Sequence, residues 1–145
     1  VTADPAVAVE VVGLRRSYRL GKGVLRRRSG EIEALRGITF SVGHGELFGL
    51  IGPNGAGKTT TIKVLTTLLL PSAGTARVLG YDVARRPRDV RARIGFVFGG
   101  DRGLYDRLSA LDNLRYFADV YGVDARRQRA RIDELLELVG LRGRE

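Results

Sequence analysis

Apolar positions change their period along the chain, and each change marks an expected element. Residues 7–12 form an apolar, β-branched run interrupted by Glu10 and closed by Gly13, which predicts a first strand. Residues 21–30 hold glycines and arginines without periodicity and predict a loop or hairpin tip. Ile38, Phe40 and Val42 alternate with Thr39 and Ser41, the period of a half-buried strand, and Gly43, His44 and Gly45 form a turn. Residues 47–51 are nearly continuous in apolar character, as in a strand covered on both faces by helices. After a glycine-rich stretch, Ile62, Leu65, Thr66 and Leu69 recur at helical spacing and predict a helix over 58–70, ended by Pro71. Residues 75–79 and 94–98 read as further strands, with a short helix around 88–93 between them.

The last third changes character. Leu111, Leu114, Phe117 and Tyr121 mark one helix face, with Ser109 and Asp112 in the spacing of a capping box. A second helix follows, capped by Asp124, carrying Ile132, Leu135, Leu136 and Val139 as its apolar stripe, with Gly140 in the C′ position. Two consecutive helices predict a small helical subdomain after an α/β part. The expected division is 1–98 for the α/β core and 99–145 for a connecting region and the start of the helical part.

Composition narrows the class. With 43% hydrophobic and 28% charged residues in 145, the chain is expected to fold as a globular unit, not to remain disordered. No apolar run approaches the roughly 20 residues that span a bilayer, and the N-terminal residues lack the pattern of a secretory signal, so a cytoplasmic location is expected. The absence of cysteine excludes disulfides and thiolate metal sites, and the single histidine, His44, cannot build a zinc site. Any metal must use oxygen ligands. The net charge of +9 is carried by 25 basic residues, of which only Lys22, Lys58 and Lys63 are lysines. No acid occurs between Glu10 and Glu31, while Arg15, Arg16, Arg19, Lys22, Arg26, Arg27 and Arg28 do. A solvated basic loop is the expectation there, with nucleic acid, anionic lipid or a ligand's phosphates as the alternatives.

The chemistry is concentrated in Gly52-Pro53-Asn54-Gly55-Ala56-Gly57-Lys58-Thr59, which fits glycine, four residues, glycine, lysine and then serine or threonine. An expected strand precedes it and an expected helix follows, the context that this phosphate-binding motif requires. Glycines let successive N–H groups turn inward on phosphate oxygens, and the helix N-terminus adds partial positive charge. Lys58 is assigned to the β- and γ-phosphates, the Thr59 hydroxyl to Mg²⁺, and Thr60 to a further phosphate contact.

The nine residues from Gly52 to Thr60, preceded by Gly45-Glu46-Leu47-Phe48-Gly49-Leu50-Ile51, resemble the Walker A region of ABC transporter ATP-binding subunits. Residues 34–40 are similar to that family's strand before the loop, 71–75 to its turn into the next strand, and 108–114 to the segment after its Q-loop. The resemblance implies an ABC-type P-loop NTPase fold, α/β, with an N-terminal antiparallel β part and the start of a helical subdomain. It further implies ATP and Mg²⁺ as cofactors and Tyr18 as the aromatic that stacks on adenine. It implies a separate membrane permease as partner, pairing with a second ATP-binding subunit as homodimer or heterodimer, and a place at the inner face of the cell membrane. Residues 99–105 resemble an exporter-type subset of the family. An ABC-type ATPase acting on nucleic acid or ribosomes is one alternative, disfavoured because the basic block lacks interleaved aromatics apart from Tyr18, and a non-catalytic truncated remnant is the other.

The sequence also departs from the family pattern. Gly99 stands where the family carries a glutamine that reaches Mg²⁺ and the attacking water, leaving Asp101 as the candidate oxygen ligand. Glu145 precedes the family's signature sequence, Walker B carboxylates and switch histidine, so the 145-residue chain is expected to be incomplete and inactive in hydrolysis alone. The strand at 47–51 is then expected to lack pairing partners.

Overall fold

The computed structural model describes residues 6–19, 30–97 and 103–144. Contacts divide the chain into two units, Val1–Phe96 and Val97–Glu145. In the first unit, β1 (Val7–Arg19), β2 (Glu31–Gly43), β3 (Ala73–Val78) and β4 (Tyr81–Asp82) form a sheet in the order β2-β1-β3-β4. Every pairing is antiparallel. Two short helices, α1 (Lys58–Leu65) and α2 (Pro87–Arg91), accompany it.

β1 runs well past the glycine expected to close it. Gly13 adopts φ 55°, and the register with both neighbours shifts between Val11 and Leu14 or Val12 and Arg15, so the glycine is a bulge inside one strand. A bulge turns the strand without ending it, and Thr39 Oγ1 accepts from the Gly13 N–H at 2.9 Å. The continuation places Arg15, Arg16 and Arg19 on a paired strand, correcting the solvated-loop expectation for that part of the basic block. Residues 20–29, including Lys22, Arg26, Arg27 and Arg28, lie outside the described residues.

The core of this unit consists of Val11, Leu14, Leu35, Val64, Ala76, Val78, Val83 and Val90, with Ile38, Phe40, Leu69, Tyr81 and Ile94 packed partly against it. It draws on β1, β2, β3, α1, α2 and the turn after β4. Burial of such aliphatic groups contributes about 1.5–3 kcal/mol for each large side chain, which is what joins these short elements. Across the sheet Arg77 meets Glu10 at 2.8 Å, its direct partner in the register.

Three expected elements differ. Residues 47–51 form no strand and have no ladder partner among the described residues. Leu47 is fully exposed and Ile51 nearly so. Only Phe48 is anchored, its ring stacked on Phe40 at 5.1 Å, while Glu46 accepts from the Gly43 N–H at 2.6 Å. An apolar run becomes a two-faced buried strand only with neighbours on both sides, and no described strand pairs with this one. Residues 94–97 likewise form no strand, with Val97 exposed, and Phe98 lies outside the described residues. α1 stops at Leu65, short of Pro71. Thr67, at φ 63°, closes it: its N–H donates to Val64 O and that of Leu68 to Lys63 O, the paired bonds of a Schellman cap. The Thr67 hydroxyl accepts from Arg91 Nη1 at 2.8 Å, tying the end of α1 to α2.

In the second unit, α3 (Ala110–Val120) and α4 (Ala125–Leu138) bear the expected caps. Ser109 Oγ accepts from Asp112 N at 3.1 Å, and Asp124 Oδ1 accepts from Arg126 N at 2.8 Å. Gly140 N donates to Glu137 O and Leu141 N to Leu136 O, which places Gly140 at C′. Buried Asn113 accepts from Tyr105 N and donates to the carbonyls of Tyr105, Leu108 and Ser109, holding the segment before α3 against that helix. Tyr105 donates its hydroxyl to Tyr116 at 3.0 Å, which pushes the Tyr105 pKa up.

α2 is fixed to β4 by charge. Arg86 and Arg93 lie over the Tyr81 ring at 4.7 and 4.4 Å, and Asp89 bonds Arg86 Nε at 2.9 Å and faces Arg93 at 3.7 Å. The hydrogen bond from Arg86 lowers the Asp89 pKa, outweighing the opposing effect of desolvation, and the fields of Arg86 and Arg93 add to it. A carboxylate whose folded pKa is depressed stabilises the fold above its unfolded pKa, and the contribution is lost as pH falls through the folded value. Asp89→Asn is therefore expected to lower the urea midpoint of unfolding at neutral pH. Its deficit against the parent should close as pH falls below the ordinary carboxylate range; a deficit constant from neutral to acid would refute this linkage.

Candidate phosphate-binding site

The glycine-rich segment leaves the 47–51 stretch and enters α1 through one tight approach. Gly57, at φ 88°, occupies the N-cap position. A Cβ there would stand 2.7 Å from Ala34 O and 2.6 Å from Leu35 Cδ2, so only glycine lets the loop lie against β2. Before it, Ala56 N donates to Pro53 O at 3.2 Å, folding residues 53–56 into a turn.

α1 begins with the N–H groups of Lys58, Thr59 and Thr60 beyond the reach of intrahelical acceptors, the first intrahelical bond running from Thr61 N to Gly57 O at 2.8 Å. No side chain caps this end and no acid occupies the first turn. The positive end of the helix therefore has no internal anion. Lys58 Nζ donates to Gly52 O at 2.5 Å and Pro53 O at 2.8 Å, folding back over the loop's own carbonyls. Thr61 is buried, with its hydroxyl donating to Gly57 O at 3.0 Å, while Thr59 is exposed and Thr60 half-buried. Gly52, Pro53, Asn54, Gly55 and Ala56 are exposed. The arrangement is an open cradle of N–H groups and one ammonium, suited to a polyphosphate.

Tyr18 lies on β1 opposite Ile32 and is 37% exposed as a residue. Arg16, two residues earlier on the same strand, pairs with Leu35, the residue against which Gly57 packs. The sheet thus places Tyr18 two residues along and one strand over from the loop's contact, on the order of 8 Å by standard strand spacings. Gly99 and Asp101 lie outside the described residues. His44 is an exposed turn residue whose N–H donates to Ala6 O at 3.2 Å. Among the described residues no cluster of three histidines or carboxylates gathers to hold a metal. Sequence reading missed two residues here, Leu35 as the backstop of the loop and Arg16 beneath Tyr18. Leu35 carried a legible signal in its apolar position, but its contact with Gly57 is long-range; Arg16 was hidden in a charge run.

The family model for ABC transporters matches residues 35–145. The chain belongs to the ABC transporter family. It is 42% identical over 111 residues to the ABC transporter ATP-binding protein NatA of Bacillus subtilis strain 168, spanning 77% of this chain and 45% of NatA. It is 44% identical over 120 residues to the daunorubicin resistance ATP-binding protein DrrA2 of Streptomyces coeruleorubidus, spanning 83% of this chain and 37% of that protein. A solved ATP-binding subunit of an ABC transporter superposes with a TM-score of 0.68 at 32% identity, covering 90% of this chain and 49% of that one. The chain thus spans less than half the length of these two curated relatives. Among the described residues, no helix is long and apolar enough to cross a membrane.

The two glycines with positive φ in the loop separate conformation from contact. Gly55, at φ 84°, has nothing within 4 Å of a Cβ, whereas Gly57 meets backbone. Gly55→Ala is expected to cost about 1 kcal/mol from conformational strain alone. Gly57→Ala is expected to cost roughly 2–4 kcal/mol, because overpacking adds to the strain. Chemical denaturation of both variants measures the difference, and equal losses would show that the approach to Ala34 is not restrictive.

Proposed function

We propose that the chain binds Mg-ATP as part of the ATP-binding subunit of an ABC transporter, powering transport by a separate membrane permease. The observation that carries this reading is the cradle at the start of α1, where Gly57 is pressed to β2, the first N–H groups of the helix have no side-chain cap, and Lys58 stands over the loop. The residues fit the ligand. Lys58 and the amides at the start of α1, those of Lys58, Thr59 and Thr60, would hold the β- and γ-phosphates, and the Thr60 side chain adds a contact. The Thr59 hydroxyl, exposed at the second helical position, would supply one oxygen ligand to a Mg²⁺ bound with the phosphates. Binding releases Lys58 from the Gly52 and Pro53 carbonyls, exchanging two neutral acceptors for phosphate anions, which form stronger charge-assisted bonds. Tyr18 offers its exposed ring to adenine.

Family membership, with relatives that are ATP-binding proteins, supports the subunit reading. The resistance protein among them supports export as the direction of transport. A second ATP-binding subunit and a membrane permease complete the assembly, with this subunit cytoplasmic and held at the inner face of the membrane through the permease. If Asp101 supplies an oxygen to the metal or to the attacking water in place of the family's glutamine, Asp101→Ala should lower turnover in the assembled transporter while leaving ATP affinity intact.

Calorimetric titration with ATP and with adenosine tests the site itself. Lys58→Ala is expected to weaken ATP at least tenfold, from loss of a charge-assisted contact of about 1.5–3 kcal/mol, and to leave adenosine unchanged. Tyr18→Ala is expected to weaken both. Equal weakening of both ligands by Lys58→Ala would refute the phosphate role, and chelation of Mg²⁺ without effect on ATP affinity would refute the role of Thr59.

A further inference from the structure

The basic run at the end of β1 contains one arginine whose placement a solvated charge does not explain. Arg16 is half-buried, and its Nε is shielded from solvent with no hydrogen-bond partner among the described residues. Its guanidinium carbon lies 4.8 Å from the centroid of the Tyr18 ring, and Nη1 donates to Leu70 O at 3.0 Å. Ser17 N donates to Ser72 Oγ and Ser72 N to Arg15 O, so the strand around Arg16 is stitched to the chain that follows α1.

A tether to the Leu70 carbonyl alone needs only one donor at the end of a flexible side chain, and a lysine supplies that. It gives no reason to bury Nε or to lay the guanidinium over an aromatic face. A stacked cation does, because the ring's negative face compensates the charge where water is excluded. The register supplies the other side of the arrangement. Tyr18 and Ile32 are opposite residues, hence on one face of the sheet, and both are exposed, so an apolar strip is left open beside the supported ring.

We propose that Arg16 is a positioning residue for the nucleobase: its guanidinium supports the Tyr18 ring from one side and leaves the other to adenine, in a stack of guanidinium, phenol and base. This rests on the reading of Tyr18 as the adenine platform. Arg16 touches neither base nor phosphate. It sets the angle of the ring and removes the freedom that Tyr18, on an exposed strand end, would otherwise lose on binding. The phosphate end of the site, on α1, does not depend on it.

The test is calorimetric titration of the 145-residue chain and its variants with Mg-ATP and with inorganic tripolyphosphate, the second probing the phosphate cradle without a base. Arg16→Leu, which keeps bulk and removes the cation, is expected to weaken ATP about fivefold, within the range measured for cation–π contacts, and to leave tripolyphosphate unchanged. Arg16→Lys, which keeps the charge and the reach to Leu70 O but cannot lie flat on the ring, is expected to lose about twofold for ATP only. Tyr18→Ala is the control. If Tyr18→Ala weakens ATP and neither Arg16 variant does, the positioning role fails while the adenine platform stands. If Tyr18→Ala has no effect, the platform reading fails and takes this inference with it. Equal weakening of ATP and tripolyphosphate by Arg16→Leu would mark a purely structural arginine and overturn the proposal. Should the leucine variant fail to fold, as judged by thermal melting, the lysine variant decides by the same ATP-only criterion.

Discussion

The approach of Gly57 to Ala34 and Leu35 is the contact on which the site depends. It brings a loop more than 20 residues downstream against β2, with no room for one additional carbon. Because that glycine is also the N-cap of α1, the same approach fixes where the helix starts and which way its unpaired N–H groups face. Leu35 in turn is buried with Val11, Leu14 and Val64, so the position of the phosphate cradle is set by the hydrophobic core of the first unit. The anion binding proposed here would be a consequence of packing, since the groups that would meet phosphate are backbone amides fixed by the approach of the loop to β2.

α1 is held at both ends, by different means. At its start the loop is pressed to the sheet. At its end Thr67 accepts a left-handed conformation that disfavours a β-branched residue, and its hydroxyl is bonded to Arg91 on α2. α2 is itself fastened to β4 through Tyr81, Arg86, Asp89 and Arg93. A helix of eight residues has little stability of its own, and these attachments replace what length would otherwise provide. The arginines that give the chain its charge are therefore partly structural: Arg77 joins β3 to β1, Arg91 joins two helices, and Arg86 and Arg93 clasp an aromatic ring.

The sequence by itself determined the local elements and the chemistry of the loop. The caps at Ser109 and Asp124, the C′ glycine at Gly140 and the presence of strands around Val9 and Phe40 follow from residues within a few positions of one another, where periodicity and capping preferences act. The phosphate motif was legible for the same reason, being contiguous. What only the tertiary structure decided depends on residues distant in sequence. Gly13 reads as a stop but is a bulge, because both β2 and β3 continue to pair with β1 beyond it. Residues 47–51 read as a buried strand but carry no ladder pairing, and Leu47 and Ile51 lie exposed, because a buried strand needs partner strands on both sides and the apolar run reports only on itself. Arg16 reads as one charge in a run, yet the pairing of β1 and the chain after α1 bury its Nε and stack it on Tyr18. Periodicity and motif spacing report on what a segment prefers; burial and register are properties of the neighbours it finds.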